Sequence, residues 1–231
     1  MHKSICALAA WALVCSNVSI LAQTTQQELL QKLATVKESV ARNQAALREF
    51  TWTQRTTVSE KGEVRRTEIA TCRYRPDDQL ERMPVSESEQ ARAGLKAKIF
   101  EMKSTALEAY TQRLLALLNR YLPPSPRLMG AAHEAGNVSL GPSAPGAITL
   151  NFRNYLQSGD SLIFDFDPAT RSLRKVFVNT YWGDVKDPVT LFAVFATLPD
   201  GTNYISSTTL NEKVKGIQIT IQNSSYQSTA P

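Results

Sequence analysis

Apolar residues in the first half of the chain are spaced first as in a helix and then as in strands. From Gln26 to Leu47 they recur three, four or seven positions apart between polar residues, which predicts one amphipathic helix with a single apolar stripe. The segment Phe50–Val58, FTWTQRTTV, alternates instead and is rich in β-formers. Val64–Tyr74 and Leu80–Val85 follow after turn residues. The pattern predicts a helix followed directly by an antiparallel ribbon.

Two further helices are predicted in the middle of the chain. The polar stretch Ser86–Gly94 indicates a connector, and helical periodicity resumes over Leu95–Leu122 until two prolines end it. Ser125 followed by proline is typical of an N-cap with proline at the first helical position. A short third helix is therefore predicted over Pro126–Ala135.

Strands dominate the remainder, separated by turn residues such as Ser-Gly-Asp and Pro-Asp-Gly. The predicted strands are Ala147–Arg153, Ser161–Asp167, Ser172–Tyr181, Pro188–Leu198, Asn203–Glu212 and Gly216–Asn223. Their connections are too short to contain crossover helices, so neighbouring strands should pair antiparallel. We expect an α+β fold in which a curved antiparallel sheet packs against two main helices and one short helix.

Two strands differ in which faces are apolar. Ile217, Ile219 and Ile221 alternate with polar residues, which predicts burial on one side. The strand PVTLFAVFATL, Pro188–Leu198, is apolar on both faces. Either helices and loops pack on both faces of the sheet there, or the strand lines an apolar ligand cavity, and periodicity alone leaves both open.

The N-terminus has the pattern of a secretory signal peptide. A lysine at position 3 precedes an apolar run over Ile5–Val14, and a small residue, Ala22, precedes a polar stretch. The run is shorter than the roughly 20 residues that span a bilayer. We expect residues 1–22 to be cleaved, residues 23–231 to form a single domain, and the protein to be periplasmic or secreted. Val14 before Cys15 disfavours lipidation.

Cysteine content and charge narrow the functional classes. Cleavage would remove Cys6 and Cys15 and leave Cys72 alone, so the mature chain would have no internal disulfide and would depend on its core. The net charge is +5, but the basic residues are dispersed and accompany no nucleic-acid-binding motif. No nucleic-acid partner is expected, whereas weak association with an anionic membrane surface is compatible with the charge.

The stretch LIFDFDPAT contains an Asp-x-Asp pair, Asp165 and Asp167, which resembles the nucleophile motif of haloacid dehalogenase phosphatases. That chemistry needs a parallel strand within an α/β fold. Here Pro168 follows the second aspartate, and the strand Leu173–Tyr181 begins a few residues later. We therefore interpret the pair as a hairpin corner, because Asp-Pro is a common turn opener.

Other catalytic and metal-binding patterns are weak. His133 is the one histidine beyond the signal, which excludes a zinc site built on several histidines, and no Gly-x-Ser-x-Gly elbow accompanies it. A calcium site among the turn aspartates is a lesser alternative, since no loop has EF-hand spacing. These are Asp160, Asp165, Asp167, Asp184, Asp187 and Asp200. We expect no catalytic residue, no metal and no cofactor.

The element order resembles that of the periplasmic lipoprotein-carrier (LolA-like) family. The specific similarity covers Leu29–Val58, where an early helix leads into LREFTWTQRTTV, and Thr71–Leu80, TCRYRPDDQL, is loosely similar to that family's Arg-Pro hairpin. The resemblance implies an open half-barrel whose concave apolar face, plugged by helices, holds acyl chains. The chain also resembles a group of exported bacterial proteins that have no assigned activity.

We therefore expect a non-catalytic protein that binds or carries a lipid or a lipid-modified partner; the sequence specifies no oligomeric state. The expected apolar lining comprises Phe50, Trp52, Leu191, Phe192, Val194 and Phe195. The alternative is an envelope structural or protein-interaction module whose sheet is filled by its own helices. A hydrolase is the third hypothesis.

Overall fold

A computed structural model describes residues 10–77, 79–86 and 95–229. This part of the chain contains three helices, α1 (Ala10–Leu47), α2 (Leu95–Tyr121) and α3 (Pro126–Glu134). Most of the predicted connector and the first nine residues of the predicted signal lie outside the described residues. No helix within the described ranges is both long enough and apolar enough to cross a membrane.

The described residues also form ten strands joined in one antiparallel sheet. The strands are β1 (Phe50–Glu60), β2 (Glu63–Tyr74), β3 (Leu80–Ser86), β4 (Val138–Leu140), β5 (Ile148–Arg153), β6 (Ser161–Asp167), β7 (Ser172–Tyr181), β8 (Pro188–Thr197), β9 (Asn203–Glu212) and β10 (Ile217–Ser228). Their spatial order is β3-β2-β1-β10-β9-β8-β7-β6-β5-β4. The sheet is curved and open, since its edge strands β3 and β4 do not pair, and the α+β prediction is confirmed.

The first and last strands of the chain pair with each other. β1 runs antiparallel to β10 from Phe50 opposite Ser228 to Glu60 opposite Ile217. This pairing joins the N-terminal ribbon to the C-terminal meander, in which each strand pairs with the next along the chain. One continuous sheet results from two segments that lie far apart in sequence.

The structure differs from the predicted elements in three places. Helix α1 begins at Ala10, so it extends the predicted helix backwards. Strand β4 was not predicted, because three residues are too few for a periodic signal. Strand β10 continues past Asn223 to Ser228, where the polar sequence SSYQS has the composition of a loop but pairs with the start of β1.

All three helices pack on the concave face of the sheet. Their buried residues join one core cluster with the inward-facing residues of β5–β10. The helical contributions are Leu33, Val36 and Val40 from α1, Leu114, Leu115, Leu117, Leu118 and Tyr121 from α2, and Met129 and Ala132 from α3. The predicted stripe of α1 and the one-sided burial of Ile217, Ile219 and Ile221 are confirmed.

The opposite, convex face is exposed at β7 and β8. Val189 and Leu191 are buried, but Phe192 is 39% exposed, as is its cross-strand partner Phe177 at 38%. Of the two alternatives left open for this strand, cover by helices and loops on both faces does not hold at Phe192. A strand can be apolar on both sides without a second layer, because a folded protein leaves much apolar surface in contact with water.

A buried carboxylate attaches α2 to the loop between β5 and β6. Asp160 accepts hydrogen bonds from the backbone N–H groups of Tyr155 (2.5 Å), Leu156 (3.0 Å) and Gln157 (3.0 Å). It also accepts one from the hydroxyl of Tyr121 at the end of α2, at 2.5 Å. Burial, together with this hydrogen bond, raises the pKa of Tyr121 well above its ordinary value. The phenol therefore remains a donor, which fixes α2 over the sheet.

Candidate functional site

A cleft lies between the concave sheet and the facing ends of α1 and α2. Its cavity volume is about 80 Å³. We call it the aromatic cleft. Its lining comes from α1 (Val40, Asn43, Gln44, Leu47), from α2 and the following segment (Leu118, Asn119, Leu122, Pro123, Pro124), and from the sheet (Trp52, Gln54, Tyr74, Leu80, Arg82, Leu173, Phe195, Asn203, Tyr204, Ile205, Thr208, Ile221, Asn223, Tyr226). The core does not fill this part of the concave face.

Four aromatic rings from four strands form one wall of the cleft. The ring of Trp52 stacks on that of Tyr226, with centroids 5.3 Å apart and planes at 12°. Tyr74 lies 5.4 Å from Trp52, and Tyr204 lies 4.4 Å from Tyr226. Burial raises the pKa of Tyr226 far above its usual range, so its phenol is neutral. The wall presents large, rigid and largely apolar surfaces.

A β-bulge brings Tyr226 into this wall. Thr51 pairs with Gln227 and Thr53 with Ser224, so β10 has one residue more than β1 across this step. Ser225 takes a left-handed conformation, with φ of 54°. A bulge increases the local twist and redirects a side chain. Here it places Tyr226 opposite Trp52 on the concave face.

The indole N–H of Trp52 has no hydrogen-bond partner among the described residues. Trp52 is 5% exposed, and none of their acceptors lies within hydrogen-bond distance of its buried Nε1 atom. Buried donors are normally paired, because burying an unpaired donor loses its hydrogen bonds to water. Trp52 therefore brings a buried donor to the cleft lining that no described residue satisfies.

A ladder of polar side chains crosses the sheet beside the aromatic wall. Arg82 donates from Nε to Gln54 Oε1 (2.8 Å), and Gln54 donates from Nε2 to Asn223 Oδ1 (3.0 Å). Asn223 in turn donates from Nδ2 to the carbonyl of Ile205, at 2.9 Å. The side-chain oxygens of Gln54 and Asn223 therefore both accept a hydrogen bond. The positively charged guanidinium of Arg82 lies at one end of this row of side chains.

Small side chains on β2 let Arg82 reach across that strand. Arg82 lies on β3, opposite Cys72 of β2, and Ala70 is the next residue on the same face. Both are buried and leave room above them for the arginine side chain. Burial raises the pKa of the Cys72 thiol to about 11, although Arg82 acts in the opposite direction. Cys72 is consequently a packed, neutral thiol at neutral pH.

Polar contacts attach α1 to the floor of the cleft. The Asn43 side-chain oxygen accepts from the backbone N–H of Asn203 at 3.0 Å, and Gln44 donates to the carbonyl of Pro124 at 3.2 Å. Asn203 further bonds both backbone groups of Leu173. These bonds fix the helix at one distance from the sheet and so set the width of the cleft.

The six residues expected to line an apolar site are divided between both faces of the sheet. Trp52 and Phe195 line the aromatic cleft. Leu191 is fully buried in the core, and Phe192 is exposed on the convex face. Val194 is partly buried. The remaining residue, Phe50, is partly buried with its ring 6.4 Å from that of Tyr226.

Sequence reasoning missed most of the cleft. Alternation in Phe50–Val58 places Gln54 on the same face as Trp52, but nothing in the sequence predicts that Tyr74, Tyr204, Tyr226 and Arg82 meet there. These four residues share one sequence feature, an amphipathic side chain on a predicted strand, and this feature is too common in sheets to indicate a site. Only the pairing of β1 with β10, and of β2 with β3, brings them together.

The Asp-x-Asp pair is a hairpin corner, as predicted. β6 and β7 pair antiparallel on either side of it. Asp167 accepts from the backbone N–H groups of Ala169 (2.9 Å) and Thr170 (3.4 Å), and the Arg174 guanidinium bonds it and holds its pKa below the usual value. Asp165 accepts from the Thr149 hydroxyl at 2.8 Å.

Other candidate groups remain separate. His133 lies on α3 and is half-buried. Within the described ranges, no three His, Cys, Asp or Glu side chains are grouped so that they could hold a metal ion.

No protein-family model matches this chain, and neither does any curated protein. Among solved structures, it is similar to a DUF1329 family protein from Desulfovibrio piger, with 8% identity and a TM-score of 0.40 over 86% of this chain and 93% of that chain.

A second similar structure is a domain from Vibrio parahaemolyticus whose name assigns it to outer membrane lipoprotein sorting. The identity is 11% and the TM-score 0.37, over 83% of this chain and 91% of that chain. The class in its name is the one that the sequence resembles.

Proposed function

We propose that this protein is a non-catalytic binding or carrier protein for a lipid or a lipid-modified partner, whose apolar part occupies the aromatic cleft. The observation that carries the proposal is an unfilled apolar cleft on the concave face, bounded by four aromatic rings and two helix ends. Clefts that are mostly apolar with few polar groups are typical of small-molecule sites.

The size of the cleft limits what it can hold. A volume of about 80 Å³ exceeds what one water molecule needs, which is about 10–15 Å³ by the same kind of measure. It suits a segment of aliphatic chain better than a bulky polar group. Leu118 and Leu122 on one side, with Phe195 and Ile221 on the other, offer such a chain apolar contacts.

The competing proposal is an envelope interaction module whose sheet is filled by its own helices. Most of the concave face fits this description, because residues of all three helices are buried against it. The aromatic cleft does not, since about 80 Å³ of it is unfilled and none of the described residues accepts a hydrogen bond from Trp52 Nε1. The two proposals therefore make opposite predictions about ligand occupancy.

Native mass spectrometry of the protein expressed from the full chain separates these proposals. We expect the gently purified protein to carry lipid at near-stoichiometric occupancy, which organic extraction removes. A fatty acid added back should raise the melting temperature, because a ligand that binds only the folded state stabilises it. An apo mass before extraction, with no thermal shift on adding lipids, would refute the carrier and favour the interaction module.

We also propose that the protein is exported and that residues 1–22 are removed. Helix α1 runs without interruption across the expected cleavage point, so the mature helix would begin at Gln23. We expect N-terminal sequencing of protein recovered from the periplasm of a bacterial host to begin at Gln23. Full-length protein that starts at Met1 and stays in the cytoplasmic fraction would contradict export.

A further inference from the structure

We propose that the aromatic cleft selects an aliphatic monocarboxylate, whose carboxylate accepts a hydrogen bond from Trp52 Nε1 and is attracted by Arg82. This inference rests on the proposed function, because it specifies the polar end of the ligand that the cleft would hold. Two independent features carry it: an unpartnered donor on the wall and the charge of the lining.

The first feature is the state of the polar groups in the cleft. The side-chain oxygens of Gln54 and Asn223 already accept hydrogen bonds, from Arg82 and from Gln54 respectively. The Trp52 indole N–H, by contrast, has no acceptor. An indole N–H is a donor only. A ligand that completes the hydrogen bonding of the cleft must therefore supply an acceptor for the Trp52 indole N–H.

The second feature is the net charge of the residues that line the cleft. The described residues that line the cleft include one charged side chain, Arg82, and no Asp or Glu. No carboxylate of the described residues lies within ion-pair distance of this guanidinium, whereas several arginines on the outer surface are paired. An anion in the cleft would meet an uncompensated positive charge. A cation would be repelled.

The register places donor and cation on the same side of the sheet. Trp52 pairs with Cys72, and Cys72 pairs with Arg82, so the three residues form one row across β1, β2 and β3. The backbones of Trp52 and Arg82 are two strand spacings apart, which is about 10 Å. A carboxylate that enters the cleft between Trp52 and Arg82 can therefore bond the indole and remain close to the guanidinium, with its chain directed along the aromatic wall.

Binding of three probes with the same chain tests the proposal: decanoate, its methyl ester and decyltrimethylammonium. With the full-chain protein at neutral pH, we expect decanoate to bind about tenfold more tightly than methyl decanoate, because charge-assisted hydrogen bonds are stronger than neutral ones. The cationic probe should bind most weakly. In ¹⁵N–¹H spectra, the Trp52 indole resonance should move downfield with decanoate. Trp52→Phe assigns this resonance by its loss.

A pair of arginine variants identifies the source of the charge preference. Arg82→Gln should abolish the preference for decanoate over its ester. Arg55→Gln makes the same charge change on the opposite face of β1, where Arg55 is exposed, and should retain the preference. Because the affinities for the three probes and the shift of the Trp52 resonance are measured on the wild-type chain, the proposal can still be overturned if Arg82→Gln does not fold.

The outcomes separate this proposal from the proposed function. Equal binding of the acid, the ester and the cation, or decanoate binding that leaves the Trp52 resonance unmoved, would overturn the carboxylate site while the apolar carrier stands. If none of the three probes binds, the carrier proposal and the carboxylate site fail together. Preference for decanoate, lost in Arg82→Gln alone, supports the site.

Discussion

Replacing Phe195 with glutamate is expected to weaken the binding of an uncharged apolar ligand, methyl decanoate, by about 100-fold, or about 2.7 kcal/mol. Phe195 lines the aromatic cleft, so the substitution puts a charged group where the chain would lie. The charge must either be desolvated beside the ligand or prevent the ligand from entering. Isothermal titration or tryptophan fluorescence measures the loss.

Phe192→Glu is the matched control. Phe192 lies three residues earlier on β8 and is exposed on the convex face, so the same charge there should leave the affinity unchanged. Thermal unfolding of both variants shows whether each is folded. Phe195→Leu, which keeps the site apolar, should lose only a few-fold in affinity if Phe195→Glu proves unstable.

The opposite result would relocate the site. Binding lost in Phe192→Glu and retained in Phe195→Glu would place the ligand on the convex face, where Phe177 and Phe192 form an exposed pair. Such a result would remove the aromatic cleft as the site of the carrier proposal.

Replacing Asp160 with alanine is expected to lower the free energy of unfolding by about 4 kcal/mol. Asp160 is 2% exposed and accepts three backbone hydrogen bonds and one from Tyr121. Its removal leaves these four donors buried without their acceptor. Urea denaturation monitored by circular dichroism gives the change.

Two substitutions separate the contributions. Tyr121→Phe removes one of the four donors and should cost about 1–2 kcal/mol. Asp167→Ala also removes an aspartate that accepts from backbone N–H groups at a turn, but a partly buried one at a hairpin corner, and should cost markedly less than Asp160→Ala. Equal losses for Asp160→Ala and Asp167→Ala would show that the buried carboxylate does not hold α2 in place.

Short-range patterns determined most of the secondary structure. The proline pair after Tyr121 ends α2 because proline cannot continue a helix, and Ser125 caps α3 by accepting from the backbone N–H of Leu128, as its position predicted. Alternation in β10 placed Ile217, Ile219 and Ile221 on the buried face. Each of these features depends on neighbouring residues.

The candidate site depended on contacts between distant residues. Trp52 was expected in an apolar lining, but its partner Tyr226 lies in a polar stretch with the composition of a loop. Alternation assigns Phe192 and Phe195 to opposite faces of β8, but only the structure shows that Phe195 is on the face that the helices cover. Periodicity shows that a strand has apolar residues on both faces, but it does not show what packs against each face.

Turn residues and side-chain periodicity act over a few residues, and they were sufficient to predict the helices, nearly all of the strands, the antiparallel arrangement and the hairpin at Asp165 and Asp167. Three features follow only from long-range packing: β10 pairs with β1, a bulge turns Tyr226 towards Trp52, and Arg82 reaches Gln54 across small side chains. The longest of these contacts in sequence, between Phe50 and Ser228, joins residues 178 positions apart (228 − 50). Register and burial across such separations are set by packing the whole sheet against its helices.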